Sequence, residues 1–297
     1  MTDKATEAQH PASQGLHRAA TADVLHLVLS AQIAALDCLR PALGAIEQAA
    51  CAAAAALLAG HRVIYAGAGS SGLMALADCL ELAGTFGIAP DRTPMMFAGG
   101  AGALLHMQGV AEDDAAAAKA DLTRIEPVSG DLVICVSSSG TTPYTIAVAR
   151  GASIRGARIV GIANLPGSTL LDLADIAVLI DTGPEVIAGS TRLAAATAQK
   201  AALNMLSVLM GLRLGHVYDG YMINLTADNA KLTDRAARIV AVISGKDAAI
   251  AREALAKTGG AVKPAVLIAR GADLSRAMAL LAASGGHLAQ ALAAQDA

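Results

Sequence analysis

The chain has 297 residues, a formal net charge of −3 and an aromatic content of 2%. A weakly acidic surface does not favour nucleic acid or an anionic membrane, and a chain without Trp lacks the aromatic platforms on which bases stack. We therefore expect neither a nucleic-acid nor a membrane partner. The length suits one large α/β domain with a small appendage.

The cysteines also limit the classes of function that the sequence allows. They lie far apart, each in an apolar stretch, and no pair has metal-ligand spacing: Cys38, Cys51, Cys79 and Cys135. The polar N-terminus lacks the hydrophobic region of a signal peptide. The sequence therefore predicts a cytoplasmic protein with reduced thiols and no metal site.

The N-terminal part of the chain divides into three predicted segments. Residues 1–20 are small and polar and predict a flexible or partner-draped arm. Apolar residues then recur with helical spacing from Thr21 through Leu36, and again from Pro41 to Leu58. The main domain is expected to extend from residue 21 to residue 243.

Strands and helices alternate in the middle of the chain. After Val63–Gly67, further strands are predicted at Met95–Ala98, Leu132–Val136, Arg158–Ala163 and Ile176–Ile180. This order predicts an α/β fold with a mostly parallel sheet between two layers of helices. Two longer helices follow, Ser190–Leu214 and Asn229–Ile243, and glycines then divide residues 244–297 into a small three-helix module.

The stretch Val63–Gly72 is the first candidate site. An apolar strand ends in glycines and two hydroxyls, Ser70 and Ser71, before a helix begins. Glycines permit close approach of a ligand, and the free N–H groups of a helix N-terminus attract an anion. The turn therefore predicts a phosphate site. Its glycines also satisfy G-x-G-x-x-G, but the next strand ends in Gly99-Gly100 without the acid that a dinucleotide site requires.

A second turn, Ser137–Thr142, repeats the first with hydroxyls, one glycine and a following helix. The carboxyl ends of neighbouring parallel strands meet at one crevice, so both turns could hold one anion. An ordinary helix cap or Ser/Thr turn is the alternative for either turn alone.

Two acids could act on a ligand held there. Glu81 lies near the end of the first helix between Leu80 and Leu82, and Glu112 begins an acidic cluster. A carboxylate in apolar surroundings has a raised pKa and can transfer protons. The alternatives are a solvated acid at the helix end for Glu81 and a favourable helix-dipole charge for Glu112.

The third cluster is Gly183–Arg192, with Lys200 two turns later. Helix capping alone accounts for Ser190 or Thr191. It does not account for Glu185, Arg192 and Lys200 in so apolar a segment.

Together these stretches resemble the N-acetylmuramic acid 6-phosphate etherase family, and the two hydroxyl-rich turns resemble the wider sugar isomerase (SIS) superfamily. The resemblance covers most of the chain and rests on Gly67–Gly72, Thr85–Gly87, Ala98–Gly100, Ala111–Asp113, Ser139-Gly140 with Thr142–Tyr144, Gly183–Arg192 and Thr197–Lys200.

The resemblance implies an SIS-type three-layer sandwich that acts as a cytoplasmic homodimer without a metal or redox cofactor. The substrate would be a phosphorylated amino sugar, N-acetylmuramic acid 6-phosphate, which yields N-acetylglucosamine 6-phosphate and D-lactate in cell-wall recycling. Glu81 matches the family's acid for lactate departure, and Glu112 matches its second acid–base residue, at the C2 proton. The substrate-binding residues would be Ser70, Ser71, Ser137, Ser139, Thr142, Glu185, Ser190 and Lys200.

The chain departs from the family pattern at four places. Leu73 and Thr141 stand where the family usually has arginine, Leu82-Ala83-Gly84 replaces Cys-Pro-Pro, and Ala101 replaces a glutamate. Two alternatives therefore stay open. One is a non-catalytic SIS sensor or regulator that holds a phosphosugar, and the other is an aldose–ketose phosphosugar isomerase.

Overall fold

A computed structural model of the chain describes residues 5–107, 109–225 and 230–297. It divides into two compact units, Met1–Cys79 with Asp91–Ser207, and Leu80–Pro90 with Val208–Ala297. The boundary expected at residue 243 stays a prediction.

The strands are β1 (Val63–Gly67), β2 (Met95–Phe97), β3 (Leu132–Val136), β4 (Arg158–Ala163), β5 (Ile176–Leu179), β6 (Val217–Tyr218) and β7 (Tyr221–Met222). The helices are α1 (Thr21–Asp37), α2 (Leu43–Leu58), α3 (Gly69–Phe86), α4 (Gly100–Leu105), α5 (Ala115–Ile125), α6 (Pro143–Ile154), α7 (Thr169–Leu173), α8 (Ala194–Arg213), α9 (Ala230–Ser244), α10 (Ala248–Lys257), α11 (Val262–Ala269), α12 (Leu274–Ala283) and α13 (Leu288–Asp296).

The first unit is built on a five-stranded sheet with the order β2-β1-β3-β4-β5. All four strand pairs are parallel, and in the central pair Gly67 is in register with Val136. Every residue of β1 and β3 is buried, as expected for strands covered on both faces. The structure confirms the α/β class with a parallel sheet.

Small side chains let the helices of the first unit pack closely on the sheet. Ala49, Ala50 and Ala53 of α2 are fully buried, and α2 packs against β1, β3 and β5. A core cluster adds apolar residues of β1 and β3 and of α5 and α6, including Tyr144 and Val148. The Ala-rich sequence of α2 thus serves close helix–sheet packing.

One segment of the described residues, Thr21–Leu58, is long and apolar enough to cross a membrane by length and composition, and the bent pair α12 and α13 passes the same test only as one broken span. The turn Arg40–Ala42 separates α1 from α2 within this segment. Because α2 is packed on the sheet, its middle residues, such as Ile46 and Ala50, belong to the core, whereas Leu43 and Leu58 at its ends are exposed. By contrast, α1 leaves Leu25, Leu29 and Ile33 more than half exposed.

The N-terminal segment packs against its own chain. Residues 5–18 form three 3-10 turns, and Thr6 is 1% exposed. The Thr6 carbonyl accepts a hydrogen bond from Gly189 N at 3.0 Å, and Ser13 Oγ donates to the Val186 carbonyl at 2.6 Å. The expected flexible arm is therefore tied to the Gly183–Arg192 loop from Thr6 onwards.

The second unit contains a two-stranded antiparallel ribbon, β6 and β7, and the helices α9–α13 around a separate apolar core. The expected three-helix module is corrected to four helices, α10–α13, because three glycine breaks separate four segments. The predicted helix Asn229–Ile243 corresponds to α9, and its first residue lies outside the described residues.

Candidate functional site

The first turn, between β1 and α3, is closed by contacts between glycines. A Cβ built on Gly67 would lie 2.8 Å from Gly72 Cα, and one built on Gly72 would lie 2.8 Å from the Phe97 ring. Gly69 has a φ of +55°, which side chains disfavour. The packing of the turn therefore requires these three glycines. It also presents the free N–H groups at the start of α3 beside the half-buried Ser70.

The second turn, residues 137–142, is held together by its own hydroxyl groups. Ser137 Oγ lies 2.8 Å from Thr142 Oγ1 and accepts a hydrogen bond from Gly140 N at 3.1 Å. Ser139 Oγ accepts from both the backbone N and the hydroxyl of Thr141, at 3.2 and 3.1 Å. Ser137 is buried, whereas Ser139 and Thr142 are half-buried. The turn is thus preformed, with two hydroxyls accessible at its surface.

The two turns meet. Their strands, β1 and β3, are adjacent and parallel, so the carboxyl ends lie side by side. Ser71 Oγ and Ser138 Oγ are 3.1 Å apart, and Ser138 N donates to Ser71 Oγ at 3.1 Å. The contact between Ser71 and Ser138 therefore brings both hydroxyl-rich turns together. Ser71 is among the predicted site residues, and Ser138 is not.

Glu112 lies at the first turn. It is half-buried on the 3-10 turn Gly109–Asp113, and a Cβ built on Gly69 would lie 3.1 Å from Glu112 Cδ. Burial, and secondarily the charge of Asp113, raise the pKa of Glu112 above its ordinary value, which favours its protonated form. The predicted helix Ala111–Leu122 begins later, as α5, because Asp114 caps it by accepting from Ala117 N at 2.8 Å.

Glu81 is exposed in the single chain, and its neighbour Leu80 is 68% exposed. It lies eleven residues after Ser70 in α3. At 1.5 Å per residue this corresponds to about 16 Å along the helix axis. The burial expected for Glu81 is therefore not seen in the single chain, although Leu82 beside it is buried.

Glu185 caps α8 rather than facing a ligand. Its side chain is fully buried, and its two carboxylate oxygens accept hydrogen bonds from Ala194 N and Ala195 N, both at 2.9 Å. The expected helix start at Ser190 is corrected to Ala194, and the expected Ser/Thr cap is replaced by this distant carboxylate. Both carboxylate oxygens of Glu185 are thus used by α8, and its role as a substrate ligand stays a prediction; Ser190 is half-buried in the loop before α8.

Lys200 lies on α8 with two partners. Its Nζ donates to Asn204 Oδ1 at 2.5 Å and lies 3.8 Å from Asp78 Oδ1. Asp78 is 3% exposed and accepts hydrogen bonds from Tyr65 OH and Ser207 Oγ, both at 3.0 Å. Burial raises the pKa of Asp78, while these hydrogen bonds and Lys200 oppose that shift.

Two buried amides lie behind the turns, and neither is among the predicted site residues. Gln199 and Asn164 are each 0% exposed, and Gln199 Nε2 donates to Ser138 Oγ at 3.1 Å and to Asn164 Oδ1 at 2.8 Å. The available signal was a polar amide within the small, apolar sequence around Gln199. In the described part of the chain, no three His, Cys, Asp or Glu side chains lie close enough together to hold a metal ion.

Comparison with known proteins identifies related sequences and folds. Residues 37–164 match the family model of the SIS domain. Two solved structures share the fold at 18% sequence identity. A phosphoheptose isomerase from Francisella tularensis has a TM-score of 0.50 and covers 66% of this chain and 98% of its own. A Bacteroides fragilis protein involved in capsule formation has a TM-score of 0.54 and covers 70% and 98%.

Sequence similarity extends over the whole length. The N-acetylmuramic acid 6-phosphate etherase of Deinococcus radiodurans is 42% identical over 98% of this chain and 96% of its own. The protein of that name from Serratia proteamaculans is 40% identical over 97% of both chains. The two etherases are similar to this chain in sequence over nearly their full length, whereas the two solved structures, at 18% identity, share only its fold. This chain belongs to the N-acetylmuramic acid 6-phosphate etherase family.

Proposed function

We propose that this protein cleaves the D-lactyl ether of N-acetylmuramic acid 6-phosphate and releases N-acetylglucosamine 6-phosphate and D-lactate. The observation that carries the proposal is the position of Glu112 against Gly69, which places a half-buried carboxylate beside the first hydroxyl-rich turn. The similarity to etherases over 98% of the chain supports the same conclusion.

The phosphate binds where the two turns meet. Ser70, Ser139 and Thr142 offer accessible hydroxyls, and the first N–H groups of α3 add donors aligned with the positive end of the helix dipole. Ser71 and Ser137 hold the two turns in shape from buried positions. Ser190 and Lys200 are assigned to sugar hydroxyls, and Glu185 is left out because both its oxygens cap α8.

The chemistry needs two proton transfers. The opened sugar carries an aldehyde at C1, which makes the C2 proton acidic. Glu112 removes that proton as general base, the C3–O bond breaks, and an acid protonates the departing lactate oxygen. Water then adds across the C2–C3 double bond, so that the hydroxyl is restored at C3 and the proton at C2.

The acid is assigned to Glu81 of the partner subunit in a homodimer. About 16 Å of helix separates Ser70 from Glu81 in one chain, which exceeds the span of a phosphosugar. The exposed apolar side chains of α1, Leu25, Leu29 and Ile33, lie four residues apart on one stripe and supply the surface for a second copy. A dimer of this kind in the cytoplasm completes the proposal.

Oligomeric state tests the dimer directly. Leu29→Glu introduces a charge into the stripe and should yield monomers in sedimentation analysis. Ile154→Glu makes the same kind of change at a residue that is 86% exposed elsewhere, and should leave the dimer intact. A wild-type monomer, or an unaffected Leu29→Glu dimer, would exclude this surface.

One NMR experiment tests the reaction. N-acetylmuramic acid 6-phosphate in heavy water should release D-lactate and acquire deuterium at C2, whereas the unphosphorylated sugar should not react. Thermal stabilisation by the phosphosugar without product would favour the sensor or regulator, as the missing arginines at Leu73 and Thr141 would allow. Exchange at C2 with formation of a ketose, but without lactate, would favour the isomerase.

A further inference from the structure

The second unit contains a cavity of about 340 Å³, and its described lining residues all belong to that unit. This volume lies within the range of small-molecule pockets, about 300–1,000 Å³. Leu274, Met278 and Leu281 share one face of α12 and line the cavity together with Val262 of α11. Leu274 and Met278 are 48% and 54% exposed, so their apolar surface is available to a ligand.

Lys263 is the one charged residue among the described residues that line this cavity. It is 9% exposed, and its Nζ donates to the Gly286 carbonyl at 3.0 Å. Because Gly286 lines the cavity too, the amine lies at the cavity wall. The side chains of Asn224 and Thr258, which also line it, already donate to main-chain carbonyls at 2.9 and 2.8 Å. Lys263 is therefore the main polar group that the cavity offers to a ligand.

The charge of Lys263 is not compensated within the part of the chain that the structure describes. An ammonium group has three N–H bonds, and the Gly286 carbonyl accepts one of them. Burial lowers the pKa of Lys263 to about 8, and no described carboxylate opposes that shift. The neighbouring His216 adds no negative charge, because burial and the charge of Lys263 lower its pKa to about 4. Lys263 is thus mostly a buried cation at neutral pH, a state that a bound anion would stabilise.

The apolar wall restricts which anion fits. A phosphate group would turn several oxygens toward side chains such as Met278 and Leu281, where they find no donors, and this costs free energy. A carboxylate on an aliphatic chain instead places its charge at Lys263 and its apolar part against the same side chains, which removes both from water. The cavity therefore favours an amphipathic carboxylate over phosphate.

We propose that this cavity binds a small aliphatic monocarboxylate, whose carboxylate accepts hydrogen bonds from Lys263 Nζ and whose chain packs on Met278 and Leu274. The competing role for Lys263 is to stabilise the end of α12 through the Gly286 carbonyl, which requires one donor and no ligand. The proposal does not depend on the reaction proposed above, because its residues all lie in the second unit.

Hexanoate is the probe for this site. Titrated into the full chain with ¹³C-labelled methionine methyl groups, it should shift the Met278 signal saturably, with a Kd of about 1 mM or tighter. The signal is assigned by its absence from Met278→Leu. Hexan-1-ol, hexylamine and acetate should each bind at least about tenfold more weakly, because each lacks either the negative charge or the chain. Inorganic phosphate should not displace hexanoate.

Two variants locate the ligand by calorimetric titration. Met278→Glu places a negative charge at an exposed position of the cavity and should raise the Kd for hexanoate at least about tenfold. Ile250→Glu is the matched control, because this residue of α10 is 41% exposed and does not line the cavity, and its affinity should equal that of the wild type. Lys263→Met should abolish the preference for hexanoate over hexan-1-ol. Urea unfolding without ligand reports the folding of each variant.

Three results would overturn the proposal. If hexanoate does not bind, or hexan-1-ol binds equally tightly, the cavity is not a carboxylate site. If Met278→Glu binds hexanoate as the wild type does, the ligand lies elsewhere, and this variant decides the case should Lys263→Met not fold. If Lys263→Met folds with reduced stability but binds hexanoate normally, Lys263 serves only the end of α12.

Discussion

The carboxylate of Glu112 lies against Gly69, so that a Cβ on this glycine would be 3.1 Å from Glu112 Cδ. The contact joins the 3-10 turn Gly109–Asp113 to the first residue of α3. It places a half-buried acid and the N-terminus of a helix at the same point, although the two segments are forty residues apart in sequence.

Gly69→Ala should therefore damage both stability and catalysis. The alanine would adopt a φ of +55° at a cost of about 1–2 kcal/mol, and its methyl group would displace Glu112. We expect kcat to fall by about 100-fold because the acid moves from its working position. Gly102→Ala, in α4 with open space around it, is the control and should keep both properties. An active Gly69→Ala variant would show that the contact is dispensable.

The acidic limb of the rate profile should respond to Asp113. The charge of Asp113 helps to raise the pKa of Glu112, so Asp113→Asn should lower that pKa. If Glu112 acts as base in its ionised form, the acidic limb of kcat/KM then moves to lower pH. Glu112→Gln should reduce kcat by at least about 100-fold at every pH. If the acidic limb does not move in Asp113→Asn, that limb reports the ionisation of a group other than Glu112.

Pairing of inactive variants tests the division of labour between subunits. Glu81→Gln and Glu112→Gln should each be inactive as homodimers. A co-purified heterodimer of the two would hold one intact site of two, and about half of the wild-type activity should return. Absence of recovery in a verified heterodimer would mean that both glutamates act within one chain.

Glu185 should matter for folding. Glu185→Ala removes the acceptors of Ala194 N and Ala195 N inside the protein, and the free energy of unfolding should fall by about 1–3 kcal/mol. Glu185→Gln keeps one acceptor and should lose less. Phosphate affinity of the folded variants should equal that of the wild type; a selective loss of substrate binding would restore the earlier assignment of Glu185 as a ligand.

Asp78 should make stability depend on pH. A carboxyl with a raised folded-state pKa holds its proton more tightly in the folded than in the unfolded protein. Its contribution to the free energy of unfolding is therefore greatest at low pH. It falls as pH rises from the ordinary value of 3.8 through the folded-state pKa, and is constant above it. Urea unfolding of the wild type and Asp78→Asn should show this difference; a pH-independent difference would contradict it.

Local patterns in the sequence determined the scaffold. The strand positions follow from short apolar runs such as Leu132–Val136, and the first turn follows from glycines that only a tight strand-to-helix connection requires. Both hydroxyl-rich turns were found because serines and glycines at strand ends are local signals. The glycine breaks are visible in the sequence too, although they predict three helices where the structure has four.

Only the tertiary structure decided which polar groups already form hydrogen bonds within the protein. The sequence predicts Glu185 as a ligand because no residue adjacent to it in sequence pairs with it, whereas the fold places its carboxylate at the N-terminus of α8, where Ala194 N donates to it. Gln199 and Asn164 were missed because their bonds to each other and to Ser138 span 35 and 61 residues. A hydrogen bond depends on the distance and direction between two groups in space. Partners far apart in sequence therefore decide whether a side chain is free to bind a substrate, and the spacing of residues in the sequence does not reveal such partners.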